Sequence, residues 1–272
     1  MMKRSLMKLS LLMVLTGAAR AMAAEFPTFP VRRCAADAVQ AGTVCLDKYE
    51  ASVWRVPNPT TTNLILVSKI RLGRATRADL TAGGATPLGT SSDDYAPCTA
   101  NGQNCANDIY AVSLPSAIPA ANITWFQAQE ACANAGKRLP TNAEWQVGAN
   151  GTPDPGPDNG TTDCNTASDG EVSLTGARTS CVSARGAFDM VGNLAEWVAD
   201  WVPASTDCPG WGGFSNDDMC LAGASTTRNS PGAFVRGGAF ASIDGPSAGP
   251  LAIRAGFAPF HSTNFIGFRC AR

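Results

Sequence analysis

The chain has 272 residues, a formal net charge of −1 and basic residues scattered along its length, which leaves no electrostatic footprint for nucleic acid or for an anionic membrane surface. Ten cysteines against a single histidine argue for a disulfide framework rather than a metal or thiol centre, since none of the cysteines is spaced Cys-x-x-Cys and a zinc site would lack its usual ligands. Close pairs, Cys98 with Cys105, Cys164 with Cys181 and Cys208 with Cys220, would each close a local loop, although spacing alone leaves connectivity open.

Residues 1–24 read as a secretory signal. Lys3, Arg4 and Lys8 supply positive charge, residues 9–15 form the apolar run and Ala21-Met22-Ala23 is a small-residue cleavage site. That run is too short to span a bilayer and no other stretch approaches the required length, so no membrane insertion is expected. No cysteine follows it at the cleavage point, which argues against a lipid anchor. The expected location is exported: periplasmic, cell-surface or secreted. The remainder, residues 25–272, is expected to form a single domain.

Residues 26–43, with Pro27, Pro30 and Cys34, suggest an extended arm, and residues 44–54 alternate and carry Val44, Tyr49 and Trp54, which predicts a strand. Residues 57–120 are rich in Thr, Gly, Ser, Pro, Asn and Asp, with one strand expected at 63–67. A stretch this long inside a domain reads as a decorated insertion. Two helices follow: Thr124-Trp125-Phe126-Gln127 fits a capping box, with Ala128, Cys132 and Ala135 on one face and Gly136 as the stop, and Thr141-Asn142-Ala143-Glu144 fits a second box ahead of Trp145.

Residues 150–170, with Asn-Gly at Asn150 and Asn159, must be turns and loop. Beyond them Trp197, Ala199 and Trp201 alternate onto one face of a strand. Residues 241–265, bracketed by Arg236-Gly237-Gly238 and Ile266-Gly267-Phe268-Arg269-Cys270, show neither helical nor strand periodicity and read as surface loops pinned at both ends. Phe257, Phe260 and Phe265 lie there outside any apolar run. Either they are recognition residues on a scaffolded loop or they fold beneath it as a satellite core cluster.

Four stretches, in order, resemble one family. Asp47-Lys48-Tyr49-Glu50, Gly136-Lys137-Arg138-Leu139-Pro140-Thr141-Asn142-Ala143-Glu144-Trp145, Asp189-Met190-Val191-Gly192-Asn193-Leu194-Ala195-Glu196-Trp197, and the two brackets above look like the formylglycine-generating enzyme, or sulfatase-modifying factor, domain. The resemblance covers nearly the whole mature chain. It implies an α+β, loop-rich, disulfide-stapled variant of the C-type lectin-like fold with the chain ends brought together, and a bridge between Cys132 and Cys270. It also implies structural calcium, with Asn193 and Glu196 as oxygen ligands; the alternative is that both side chains only satisfy backbone groups at a tight turn.

The formylglycine-generating members bind copper through two cysteine thiolates placed shortly after Arg-Gly-Gly. Between Gly238 and Ile266 this chain has no cysteine, so no copper and no chemistry of that kind are expected. Iron-dependent sulfoxide-forming relatives need several histidines, and His261 stands alone without an orienting carboxylate beside it in the sequence. The chain is expected not to be an enzyme.

A second resemblance is to the variable proteins of diversity-generating retroelements, exported lectin-fold binders whose C-terminal segment is rewritten at template adenines. Rewriting Asn codons of that kind never yields Trp, Met, Lys, Glu or Gln, and none of the five occurs in residues 239–266. Residues 220–238 lack them too, so the position of the segment near the C-terminus carries more weight. The candidate ligand-binding positions are Ser242, Ile243, Arg254, Gly256, Phe257, His261, Thr263, Asn264 and Phe265. The function implied is display of a diversified surface toward an unidentified protein or cell-surface ligand. The alternatives are a formylglycine-generating-type enzyme acting on a peptide cysteine, or a non-diversified structural protein of the cell envelope.

Overall fold

The computed structural model describes residues 33–90, 94–105, 108–153, 158–167, 170–202, 216–217, 219–220, 231–242 and 246–272. The expected signal at 1–24, Cys208 and Ile243 lie outside the described residues.

Strands β1 (Ala38–Ala41) and β2 (Val44–Asp47) form a hairpin stapled by Cys34 and Cys45, and β3 (Ala51–Arg55) starts a separate sheet. The single strand expected over 44–54 is therefore two. The backbone changes partners between them: the Asp47 N–H donates to Cys270 O, the Lys48 N–H to Asp37 O and the Tyr49 N–H to Ser113 Oγ, before β3 pairs with β5.

The insertion is more structured than its composition suggests. It contains α1 (Leu64–Arg71), α2 (Arg77–Ala82), β4 (Thr86–Leu88) and β5 (Ile109–Ser113), with the strands ordered β4-β3-β5, all antiparallel. The strand expected at 63–67 is the start of α1. Its apolar run gave no clear period, yet Leu66, Val67 and Ile70 are buried at helical spacing while Leu64 and Ile65 stay exposed. Those buried side chains meet Leu80 of α2 and Trp54, Tyr110 and Val112 of the sheet in a core of their own.

The two capped helices form as expected, α3 (Trp125–Asn134) and α4 (Asn142–Ala149). Thr124 accepts from the Gln127 N–H and Thr141 from the Glu144 N–H, with both boxes closed reciprocally, each cap contributing about 1 kcal/mol. Ala128, Ala131 and Cys132 of α3 are fully buried, and Gly136 takes the positive φ that ends the helix.

The main sheet holds β6 (Ala195–Val202), β7 (Met219–Cys220), β8 (Gly232–Gly237), β9 (Gly249–Phe257) and β10 (Ile266–Phe268) in the order β10-β6-β8-β9-β7. Strands β6, β8 and β9 are mutually antiparallel, while β10 runs parallel to β6 and β7 to β9. Strand β9 corrects the expectation of unpatterned loops over 241–265. Its pairing with β8 shifts register twice, which destroys the two-residue alternation that would have announced it. Trp197, Val235 and Phe268 from this sheet, Val53 and Ile109 from the small sheet, and Cys132 and Leu139 from the helical region share one core.

The ends are brought together. Cys45 and Arg272 exchange backbone hydrogen bonds, and Ala271 bridges to both Leu46 and Arg138. Cys132 is bonded to Cys270 as the resemblance implied, and Cys98–Cys105 and Cys164–Cys181 close the expected local loops. No helix among the described residues is long and apolar enough to cross a membrane.

Beneath the main sheet lies a buried polar cluster. The Arg269 guanidinium donates to both Glu196 carboxylate oxygens and to the carbonyls of Asp47 and Phe188, Trp145 Nε1 donates to Glu196 at 2.7 Å, and Glu50 accepts from the Leu194 N–H and from Asn193 Nδ2. Three carboxylates, those of Glu50, Asp189 and Glu196, thus crowd one guanidinium. Burial raises Glu50 well above its ordinary 4.5, with repulsion from Asp189 and Glu196 adding to it. Burial likewise pushes Asp189 from 3.8 up to about 7, against the opposing hydrogen bond from Gly176.

In the chain-entropy model the Cys132–Cys270 bridge, spanning 138 residues, stabilises by about 5 kcal/mol, against about 3 kcal/mol for Cys34–Cys45, spanning 11. Denaturant unfolding of the two double Cys→Ala variants should rank them in that order. The folded chain retains protons on Asp189 and Glu50 that the unfolded chain releases above about pH 4, so their contribution is complete below that pH and falls as pH rises, the Asp189 part being lost through about 7. Asp189→Asn keeps an acceptor for the Gly176 N–H and suits the positive φ of 56°. It should flatten the fall in thermal midpoint between pH 4 and 7; an unaltered slope would assign that fall elsewhere.

Candidate functional site

At the C-terminal end of β8 the chain must turn sharply under its own continuation. Gly237 and Gly238 both have positive φ, at 83° and 76°, and a Cβ on Gly238 would stand 2.4 Å from Ala248 Cα and from Ser247 O. Only glycine lets the backbone pass this closely. The turn leaves a cavity of about 450 Å³ between β6, β8, β9 and the segment leading into β10, within the size range of small-ligand sites.

Its lining is apolar with few polar groups. Ala195, Val235, Ala239 and Ala252 are among its small and aliphatic lining residues, Phe257 and Phe265 add two aromatic rings, and Ser242, Ser247 and Arg254 are the polar side chains among the described lining residues. The rings are held in an edge-on cluster: Phe257 meets Trp197 at 6.5 Å and Phe265 at 6.0 Å between centroids. His261 is exposed and stacks on Phe257 at 5.0 Å.

The predicted positions therefore divide. Ser242, Arg254, Phe257 and Phe265 converge on the cavity, and His261 joins them through Phe257. Ser242 Oγ also accepts from the Ala239 N–H, pinning the turn. Gly256 sits within β9 without lining the cavity, Thr263 uses its carbonyl to accept from the Asn122 and Ile266 N–H groups, and Asn264 is exposed beside it. Ile243 lies outside the described residues. Phe260 is turned away, 61% exposed against the surface formed by Thr99 and Asn104. The alternatives posed for the phenylalanines thus have different answers along one segment: Phe257 and Phe265 are half-buried members of a packed cluster that also face open space.

Sequence reasoning missed the small lining residues. Ala195, Ala239 and Ala252 carry no chemistry that would single them out. It also passed over Gly245-Pro246-Ser247-Ala248-Gly249, which has the Gly-x-Ser-x-Gly spacing of a hydrolase nucleophile elbow. That motif needs a strand-to-helix turn and a base. Here the segment runs into β9, Ser247 is buried, and the histidine of the chain is exposed on Phe257.

A family model described as the sulfatase-modifying factor enzyme 1-like domain matches residues 73–272. The chain belongs to that family. No curated protein sequence matches it. Among solved structures it is similar to the Major Tropism Determinant P3c variant, at 17% identity and a TM-score of 0.47, covering 87% of this chain and 52% of that one. It is also similar to the I1 variant, at 17% identity and a TM-score of 0.45 over 84% and 50% of the two chains. Treponema denticola variable protein 1 aligns at 18% identity and a TM-score of 0.35, over 56% of this chain and 70% of that one. The chain spans about half the length of the Major Tropism Determinant variants.

The calcium ligands suggested by the family resemblance do not fit an ion in this geometry. Both Glu196 oxygens accept from Arg269 and one also from Trp145 Nε1, while Asn193 Oδ1 accepts from the Ser173 N–H at 2.8 Å and from Asn165 Nδ2 at 3.2 Å. The positive charge that meets Glu196 is the Arg269 guanidinium. No group of three or more His, Cys, Asp or Glu side chains among the described residues is placed to hold a metal ion.

Chelation with EDTA should accordingly leave the thermal midpoint unchanged. Glu196→Gln, which strands the buried Arg269 charge, should destabilise by about 3–5 kcal/mol in denaturant unfolding. A midpoint that drops on chelation and recovers with added calcium would restore the metal.

Proposed function

We propose that the chain is an exported ligand-binding protein that presents a diversified C-terminal surface on a rigid lectin-like scaffold, and that it does not catalyse a reaction. The observation that carries this reading is the division of labour around the cavity. Side chains from 242–265 face it, including four of the candidate variable positions, while the backbone beneath is fixed by β8, β9, the two glycines and the buried ion-pair cluster. A preformed cavity reduces the ordering cost of binding, and side chains on its rim can change without altering the backbone that holds them.

Catalysis of the formylglycine-generating kind would need paired thiolates after Arg-Gly-Gly. Residues 239–265 contain no cysteine, and the polar groups among the described lining residues are two serines and one arginine. The partner class is a protein or cell-surface ligand, with nucleic acid disfavoured by the charge of −1.

Sequencing this locus in sister isolates tests the reading directly. Substitutions should concentrate in codons 239–266, at positions such as 242, 254, 257 and 265, and trace to adenines of a near-copy template beside a reverse transcriptase gene. Gly237, Gly238, Glu196 and Arg269 should stay fixed. A segment as constant as its framework would remove diversification and favour a fixed-ligand or structural role.

A further inference from the structure

Three arginines of the C-terminal region illustrate how differently one side chain can be used. Arg269 is fully buried with its donors met by Glu196 and three carbonyl groups among its contacts. Arg236, 3% exposed, donates to the carbonyls of Pro250, Leu251 and Ala252 and to Gln146, and lies over the Trp145 ring at 4.6 Å. Arg254 is half-buried on β9 and lines the cavity, yet its guanidinium has no hydrogen bond or ion pair with any described residue.

A guanidinium offers five donors in a planar fork that matches a carboxylate, and partial burial weakens its solvation. Asp217, a described carboxylate held against β9, accepts from the Leu251 N–H at 3.0 Å and faces the charge of Arg236. The remainder of the wall is apolar, and Phe257 is braced by Trp197, Phe265 and His261, so it presents a ring whose position is set before any ligand arrives. Charge on one wall and aromatic surface on another define a complementary shape.

We infer that this cavity binds a ligand group consisting of a small aromatic or branched apolar body attached to a single carboxylate, with Arg254 taking the carboxylate and Phe257 and Phe265 the body. The inference rests on the ligand-binding reading above and names the chemistry this particular chain's side chains select. Such a group occurs on free small acids and at the carboxy terminus of a peptide ending in an apolar residue; the shared chemistry is the same.

The test is calorimetric titration of the full mature chain with 3-phenylpropanoate and with its neutral isostere 3-phenylpropanamide. The acid should bind saturably and about tenfold or more tighter than the amide, because only the acid forms the charge-assisted fork. Arg254→Gln should reduce the acid to the amide's level, Arg254→Lys should restore part of the difference, and Phe257→Ala should weaken both probes. The peptide Ala-Ala-Phe, with free and amidated ends, separates the sources: tighter binding than phenylpropanoate assigns a peptide terminus, weaker binding a free acid. Equal binding of acid and amide, an Arg254→Gln variant that binds the acid as the parent does, or no saturable binding of any probe at millimolar concentration would overturn the assignment. None of these outcomes depends on whether codons 239–266 vary between isolates, so the two readings fail separately.

Discussion

The fold depends on one buried ion pair. Arg269, two residues beyond the middle of β10, reaches Glu196 on β6 and at the same time the carbonyls of Asp47 and Phe188, so a single guanidinium ties four distant parts of the chain. Removing both charges from water is costly, and the attraction between them offsets that cost only when every donor and lone pair is satisfied. Trp145 completes the glutamate and backbone carbonyls complete the arginine. The pair therefore ties the N-terminal hairpin, α4, the turn at 188–189 and the last strand to one buried point. A second buried set, Lys137 with Asp37 and Asp47, performs the same service next to it, and Arg272 adds a further contact to Asp37.

The Arg269–Glu196 pair sits with the residues that close the chain ends, whereas the cavity lies where β8 turns into β9 and shares its core, including Ala195, Val235 and Ala239, with the Cys132–Cys270 bridge. Framework and site meet through residues of that shared core. Trp197 is the clearest of them: it is wholly buried, donates its indole N–H to the Ile123 carbonyl, and offers its ring to Phe257. An aromatic fixed by a hydrogen bond on one side can support several different neighbours on the other, since edge-on contacts tolerate changes of size better than interdigitated packing does.

What could be read in the sequence was what local chemistry determines. Both capping boxes were legible because Thr124 with Gln127 and Thr141 with Glu144 are three residues apart. Helix α1 was misread since an apolar run without polar interruption has no period, and its helical nature shows only once Trp54 and Tyr110 bury one face of it. Strand β9 was missed for a different reason: pairing with β8 on one edge and β7 on the other holds a strand whose own sequence, rich in Gly, Ala and Pro, would not alternate. The aromatic and charged members of the cavity were legible by type, but the alanines that make its space were not, because a cavity is defined by what is small.

That last point bears on how such a surface can vary. The space in the cavity is set by Ala195, Ala239 and Ala252 and by the backbone path through Gly238, none of which needs to change for the ligand to change. Altering Arg254 exchanges the sign or presence of charge, altering Phe257 or Phe265 exchanges area and shape, and neither requires a new backbone because β8 and β9 hold their register through main-chain hydrogen bonds. Conversely, enlarging Ala239 or adding a Cβ at Gly238 would fill the cavity or force the 247–248 segment away, removing the site whatever its rim carried. The space thus belongs to the small residues and its chemistry to the large ones, and only the second group can be exchanged without moving the backbone.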